Sequence, residues 1–201
     1  MNCITAHCRI SRQTVWKNGG LVFGNSQTDL PGFLLSGYQH FSGNYPKFYK
    51  MDNLSKLGWL AAEVLLQQGF HAGSYRPEEM GITLANANSS LDADQKYYQT
   101  VKEIASPSLF VYTLPNIMIG EISIRHHIKG ACNFFVSSEF DAGFMEWMVN
   151  DQLEATALQA CICGWVDLLE EEHQAVLYLV EKGTTACHPF TKENMNKIFQ
   201  G

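Results

Sequence analysis

A short apolar run that leads straight into a polar turn and a helical pattern, within residues 129–144, constrains this chain more than any other stretch. The run Cys132–Val136 predicts a short buried strand, and Gly130 precedes it. Apolar side chains then recur at helical spacing: Phe140, Phe144, Met148 and Val149. The stretch therefore predicts a strand, a sharp turn and a helix in direct succession.

The turn itself is polar. Ser137 and Ser138 offer hydroxyls that can cap the helix, and Ser138 has Asp141 three positions on, the spacing of a capping box. This places the carboxylates of Glu139 and Asp141 in the first helical turn, where backbone N–H groups and the helix dipole favour an anion. Enzymes with α/β folds often hold a nucleophile at such a position. Alternatively, both carboxylates are simply favourable first-turn residues, and the local sequence leaves both interpretations open.

Strand and helix patterns alternate along the whole chain, which predicts a layered α/β fold with both faces of the sheet covered by helices. Strands are predicted at residues 4–10, 80–87, 132–136, 157–166 and 174–181, with a stub at 109–114. Helices are predicted from Asp52 or Asn53 to Gly69, from a Ser89–Asp92 cap to before Pro107, over 117–127, and near the C-terminus. Residues 11–50 carry six glycines and predict a loop-rich insertion within a single domain that spans 1–201.

Composition narrows the classes of partner. The chain has 201 residues, of which 46% are hydrophobic and only 17% are charged. Because charged residues usually make up about a quarter of a protein, either an unusually large part of this chain is buried or part of its surface contacts a partner. A net charge of −6 disfavours nucleic acid and anionic membranes as ligands. No stretch reaches transmembrane length and the N-terminus lacks the pattern of a signal peptide, so we expect a cytoplasmic protein.

The cysteines and histidines give no clear metal or catalytic signal. Six cysteines lack the even spread of a secreted disulfide framework, and those at 132, 161 and 163 lie in apolar runs and are expected to be buried. Cys161 and Cys163 would share one face of a strand with no second ligand pair nearby, so neither a metal nor a cofactor is expected. His126 and His127 follow Arg125 at a predicted helix end, where imidazoles suit the dipole and solvent better than catalysis.

In its order and spacing the chain resembles the β-ketoacyl-ACP synthases of the thiolase superfamily over nearly its whole length. When the family pattern is laid on residues 130–166 without a gap, its glycine falls on Gly130, its nucleophilic cysteine on Glu139, and the first glycine of its Gly-Gly-Val segment on Gly164. Upstream, Thr113, Pro115 and Asn116 are similar to the segment before the family's Gly-Pro turn, and residues 88–92 match its glycine-rich turn in position.

The resemblance implies a thiolase-like fold, the N-terminal half only, with a mixed sheet between helices. A synthase has two such halves, and the second, which carries the catalytic histidines, would follow the 201 residues of this chain. Glu139 cannot form the acyl thioester, and its charge would oppose an enolate. Cys132 falls too far from the helix start to replace the nucleophile. Ordinary ketosynthase activity is therefore not expected.

Three functions remain open at this stage. The resemblance favours a non-catalytic subunit of fatty-acid or polyketide-type chain assembly, similar to a chain length factor and to the short synthase-like proteins of aryl-polyene or flexirubin-type clusters. The alternatives are an acyl-thioester enzyme that uses Glu139 and a remnant with no ligand. The implied partners are an acyl carrier protein or acyl thioester, a full-length ketosynthase, or a second copy, because the strand equivalent to Cys132–Val136 pairs across a dimer in this superfamily.

Overall fold

A computed structural model describes residues 1–41, 43–67, 72–183 and 188–201. Within these residues an eight-stranded mixed sheet runs in the order β3-β2-β1-β7-β6-β4-β5, with β8 beside β1. The strands are β1 (Asn2–Ser11), β2 (Thr14–Lys17), β3 (Gly20–Gly24), β4 (Met80–Asn86), β5 (Cys132–Val136), β6 (Ala160–Leu169), β7 (Glu172–Lys182) and β8 (His188–Pro189). β4 pairs in parallel with β5 and β6, whereas β7 runs antiparallel to β6 and β1.

Helices cover both faces of this sheet. They are α1 (Leu30–His40), α2 (Asn53–Leu66), α3 (Leu91–Val101), α4 (Pro107–Phe110), α5 (Asn116–His126), α6 (Ala142–Ala155) and α7 (Lys192–Gln200), with short 3₁₀ turns at Pro46–Lys50, Ala72–Ser74 and Pro77–Glu79. One core cluster joins the sheet to α1, α2 and α5, and a second joins its other face to α6 and α7. The predicted layered α/β fold is confirmed.

The central strands match the sequence pattern closely. Every residue of β4 is buried, and β6 is buried from Ala160 to Val166, as expected for strands covered on both faces. The strand predicted at 174–181 extends to Glu172–Lys182, so the turn before it is confined to Glu170 and Glu171.

Residues 11–50 are more regular than predicted. Instead of long loops they form β2, β3 and α1. The prediction gave too much weight to glycine: Gly37 lies within α1, where a side-chain carbon would come within 2.9 Å of Leu60 on α2. Close helix packing therefore requires a residue that also lowers helix propensity. That this segment is an insertion stays a prediction.

Two smaller predictions also differ from the structure, and a third is confirmed in part. The stub predicted at 109–114 is wrong, because Ser106 caps the short helix α4 through the N–H of Leu109. Ser89 does not cap α3; it lies at φ +51, and Ser90 takes the cap position without a capping side-chain bond. Asp52 does cap α2, which ends at Leu66, and the predicted end at Gly69 lies outside the described residues.

Candidate functional site at the end of β5

The turn between β5 and α6 is built differently from the prediction. Asp141 is the N-cap of α6, and its Oδ1 accepts the N–H of Phe144 at 2.9 Å. Ser138 makes no cap, and Glu139 precedes the helix instead of lying in its first turn, so both expectations are wrong. Ser137 uses its hydroxyl within the turn, donating to the carbonyl oxygen of Glu139 at 2.9 Å. The Asp141 carboxylate takes the first-turn N–H of Phe144, which is the donor that a capping serine would otherwise bind.

Glu139 points into solvent because its neighbour points into the core. The ring of Phe140 stacks on Phe199 of α7 at 4.5 Å between centroids and also faces Tyr178 and Trp165. Glu139 is exposed, two positions before the cap. The end of α6 that would stabilise an anion is therefore satisfied by Asp141, and Glu139 is not placed there.

The end of β4 joins this turn through Asn86. The carbonyl oxygen of Asn86 accepts the N–H of Ser137 at 3.0 Å. Its fully buried side chain closes the following turn, accepting the N–H of Ser89 at 2.9 Å and donating to the Ser89 carbonyl at 2.8 Å. Asn86 thus fixes the carboxyl ends of two parallel strands, β4 and β5. Ligands of α/β sheets commonly bind at the carboxyl ends of the strands.

Asp167 of β6, the strand on the other side of β4, binds the turn that follows β4. Its Oδ1 accepts the N–H groups of Ala87 and Asn88 at 3.1 and 3.0 Å, and its Oδ2 accepts Nδ2 of Asn88 at 2.8 Å. A cavity of about 440 Å³ adjoins this carboxylate and is also lined by Trp165 and Glu172. Sequence reasoning missed Asp167, although its position directly after a predicted buried strand was an available signal.

The residues matched to the upstream family segment lie in one connection. Ser90 donates its hydroxyl to the carbonyl oxygen of Thr113 at 2.9 Å, which ties the start of α3 to the chain before α5. Pro115 occupies the N-cap position of α5, and Asn116 is the first residue of that helix. These contacts position α5 beside β5, and they place none of the three side chains in the turn after β5.

Both matched glycines are required by close backbone approach. A side-chain carbon on Gly130 would lie 2.2 Å from the carbonyl oxygen of Met80, to which the Gly130 N–H donates. Gly164 lies inside β6 at φ +145, and a side-chain carbon there would be 2.0 Å from the carbonyl oxygen of Val176. Gly164 therefore allows β6 and β7 to pair at the centre of the sheet.

β5 is the terminal strand of the sheet in the described part of the chain. It was predicted to be buried, but it is half exposed: Cys132 is exposed, and Val136 exposes 57% of its surface. On the adjoining helix α6, Phe144 packs edge-on against Phe135, and Trp147 exposes 60% of its surface. We call Cys132–Val136 with Phe144 and Trp147 the β5 edge surface. It combines an open row of backbone groups with apolar side chains.

His126 is largely shielded from solvent, with 15% of its side chain exposed, contrary to the prediction that it faces solvent. Its Nε2 has no hydrogen-bond partner in the described structure and lies 3.6 Å from Oε2 of Glu63. Burial lowers the pKa of His126 to about 4, while Glu63 opposes and Arg125 and His127 reinforce the shift. The imidazole is therefore neutral near pH 7 and forms no ion pair with Glu63.

The cysteines in the described part of the chain give no reactive thiolate at the turn. Burial raises the pKa of Cys161 to about 12 and that of Cys163 well above its usual value. Cys132 is exposed, but it starts β5, whereas the turn follows the other end of that strand. Within the described ranges, no three metal-ligating side chains lie together. Among the helices described, none combines the length and apolar character needed to cross a membrane.

Solved ketosynthase structures share this fold. The ishigamide ketosynthase/chain length factor superposes with a TM-score of 0.67 at 14% identity, over 92% of this chain and 63% of that chain. The ketosynthase ApeO in complex with its chain length factor ApeC, from Xenorhabdus doucetiae, superposes with a TM-score of 0.62 at 11% identity, over 99% of this chain and 90% of that chain. AntDE:AntF, a type II PKS acyl-carrier protein in complex with its ketosynthase, superposes with a TM-score of 0.60 at 14% identity, over 90% of this chain and 62% of that chain.

These superpositions establish a thiolase-like, ketosynthase fold for the chain. It spans less than two thirds of the ishigamide and AntDE:AntF chains that it matches. The sequence matches no protein-family model and no curated protein.

Proposed function

We propose that this protein is a non-catalytic, ketosynthase-like subunit of fatty-acid or polyketide-type acyl chain assembly, comparable to a chain length factor. The observation that carries the proposal is the turn after β5: it presents exposed Glu139 where the resemblance expects the nucleophilic cysteine, and Asp141 already caps the helix. The fold likeness to ketosynthase and chain length factor structures supports this assignment.

The chemistry of the turn supports the absence of acyl transfer. Condensation by the family's route needs a thiolate beside free backbone donors that also stabilise the developing oxyanion. Here the first-turn N–H of Phe144 is bound by Asp141. The side chain at the position of the nucleophile is the carboxylate of Glu139. A carboxylate carries no thioester, so the acyl group would have to remain on a partner subunit or on an acyl carrier protein.

We further propose that the β5 edge surface pairs with a second copy of the chain or with the equivalent strand of a full ketosynthase. An aromatic side chain of this size buries roughly 150–250 Å². The 60% of Trp147 that is exposed therefore corresponds to roughly 120 Å² and about 3 kcal/mol per copy when covered. A second group of exposed apolar residues lies between β4 and α5: Leu91, Tyr98, Val101, Ile104, Phe110, Val111 and Leu114.

The two edges of the sheet provide a matched test of the interface. Val136 on β5 and Leu21 on β3 are edge-strand aliphatic residues with 57% and 56% exposure, so a lysine at either position is tolerated by the monomer. We expect Val136→Lys to weaken self-association at least about a hundredfold, equivalent to about 3 kcal/mol. We expect Leu21→Lys to leave it unchanged. Sedimentation equilibrium across micromolar concentrations measures both.

A loss of association with Leu21→Lys but not with Val136→Lys would place the interface at β3 and contradict the proposal. For the heteromeric arrangement, co-expression with a ketosynthase from the same gene neighbourhood and size-exclusion chromatography give the corresponding readout. There, wild type and Leu21→Lys should co-elute with the synthase and Val136→Lys should not.

A second candidate is an acyl-thioester enzyme that uses Glu139, which the exposure of that carboxylate favours because a substrate could reach it. This activity requires Glu139→Gln to abolish turnover of an acyl thioester without changing the fold. The subunit proposal instead expects no thioester turnover by either protein and the same circular dichroism spectrum. Turnover by wild type that Glu139→Gln removes would replace the first proposal with the second.

A further inference from the structure

The β1–β2 hairpin turns on an unusual pair of residues. Arg12 and Gln13 lie at φ +48 and +56, a two-residue turn geometry that favours Asn-Gly. The next hairpin, β2–β3, uses that favoured pair: Asn18 and Gly19 lie at φ +49 and +82. The side chain of Gln13 has a structural task, donating to the carbonyl oxygen of Thr28 at 2.9 Å. Arg12 is exposed, and its side chain forms no hydrogen bond or ion pair within the described residues, so its guanidinium is accessible to an anion.

Arg12 shares a cavity of about 710 Å³ with a second arginine, Arg9 of β1. The guanidinium of Arg9 lies 5.6 Å from the centre of the Trp16 ring, and its Nη2 donates to the backbone oxygen of Gly201 at 3.4 Å. The ion pairs formed within the described residues include neither Arg9 nor Arg12. Arg9, held by the backbone oxygen of the terminal residue Gly201, and Arg12, which forms no ion pair within the described residues, thus line one cavity of a protein whose net charge is −6.

The remaining walls and their charges define the polarity of the cavity. Hydroxyl, amide, imidazole and aromatic side chains line it, beside the backbone of Gly201: Ser11, Thr14, Trp16, His173, Gln174, Phe199 and Gln200. The adjoining cavity holds the acidic side chains Asp167 and Glu172, and the two cavities share His173 and Gln174. Asp167 is already bound by three N–H groups. The arginine end is therefore the end suited to an anion.

We propose that this cavity binds a phosphate-bearing small molecule, with Arg9 and Arg12 on the phosphate group. The planar guanidinium fork matches two phosphate oxygens at once, and it keeps its charge at every physiological pH. The volume falls within the range of small-molecule sites. Both a nucleotide and a phosphopantetheine-type ligand carry this group. The site is independent of the β5 edge surface and of the function proposed for it.

Isothermal titration calorimetry with inorganic pyrophosphate, AMP and 4′-phosphopantetheine tests the proposal. We expect at least one of the three to bind with a Kd below about 1 mM. The variant Arg12→Asn, which leaves the Gln13–Thr28 hydrogen bond in place, should weaken that binding at least about tenfold. Its melting temperature should not fall, because asparagine tolerates the left-handed conformation at this position. Lys129→Asn is the matched control: it removes the same charge at an exposed lysine that forms no side-chain ion pair in the described structure, and binding should persist.

The arms of the titration separate the sources of the phosphate. AMP binding tighter than pyrophosphate assigns a nucleotide, and 4′-phosphopantetheine binding tighter than both assigns a carrier-type group; either outcome supports the site. Absence of binding by all three probes at about 5 mM would overturn the proposal. Equal weakening by Lys129→Asn would overturn it as well, since binding would then follow net charge alone.

Discussion

The buried imidazole of His126 makes the stability of this protein depend on pH in a defined direction. His126 ends α5, its side chain is 15% exposed, and Glu63, the nearest carboxylate, is engaged by Arg125 at 2.7 and 2.9 Å. Burial lowers the pKa of His126 from 6.5 to about 4, with Glu63 acting against the shift and Arg125 and His127 with it. Between these two pH values the unfolded chain binds a proton at this residue that the folded chain does not.

The sign and size of the effect follow from this difference. A pKa that is lower in the folded state contributes stability above pH 6.5 that is lost as pH falls toward 4. The full loss is about 3 kcal/mol, and about 2 kcal/mol of it falls between pH 7 and pH 5. Acidification over this interval should therefore remove a large part of the stability of a domain of this size.

Urea unfolding at pH 7 and pH 5 measures this contribution as a difference between variants. We expect His126→Gln, which does not titrate, to lose about 2 kcal/mol less than wild type between the two pH values. His127→Asn is the matched control, because this exposed neighbour lies in the left-handed conformation that asparagine tolerates, and it should behave as wild type. Equal losses for wild type and His126→Gln would refute the assignment of a buried neutral imidazole.

Two substitutions test the fold around the candidate site. Gly164→Ala should cost more than about 3 kcal/mol or prevent folding, because its side chain would meet the carbonyl oxygen of Val176 at 2.0 Å. Gly20→Ala, on the exposed edge strand β3, should be nearly neutral in the same urea titration, and a mild effect of Gly164→Ala would contradict the close approach. Asp141→Ala should cost about 1 kcal/mol through loss of the N-cap bond to Phe144, and Asp141→Asn much less. Equal costs for the two Asp141 variants would contradict the cap.

The sequence revealed the central strands because burial on both faces leaves a continuous apolar run, as in β4. It revealed the cap of α2 because Asp52 lies directly before the apolar pattern. It did not reveal α1, whose Gly37 is needed for contact with Leu60 and at the same time weakens the helical pattern. Tertiary packing decides such positions, and a local pattern cannot report it.

The candidate site was located correctly along the chain but misassigned in detail. The strand–turn–helix at residues 132–155 was predictable, whereas the choice of Asp141 over Ser138 as cap depends on which side chain reaches the free N–H of Phe144. The burial of β5 was also wrong, because an apolar strand at a sheet edge has the same sequence pattern as a central strand. Asp167 was missed because its three donors come from a turn about eighty residues away in sequence.

The central claim is a subunit that carries no acyl group and pairs through the β5 edge surface, and one sample tests the first part together with the self-pairing form of the second. The protein is incubated with an acyl-CoA or acyl-ACP, its intact mass is recorded, and its molecular mass in solution is measured by light scattering at micromolar concentration. The account predicts the unmodified 22.6 kDa chain in a particle of twice that mass. A covalent acyl adduct would contradict the absence of acyl transfer, and a monomer would contradict self-pairing through the β5 edge surface.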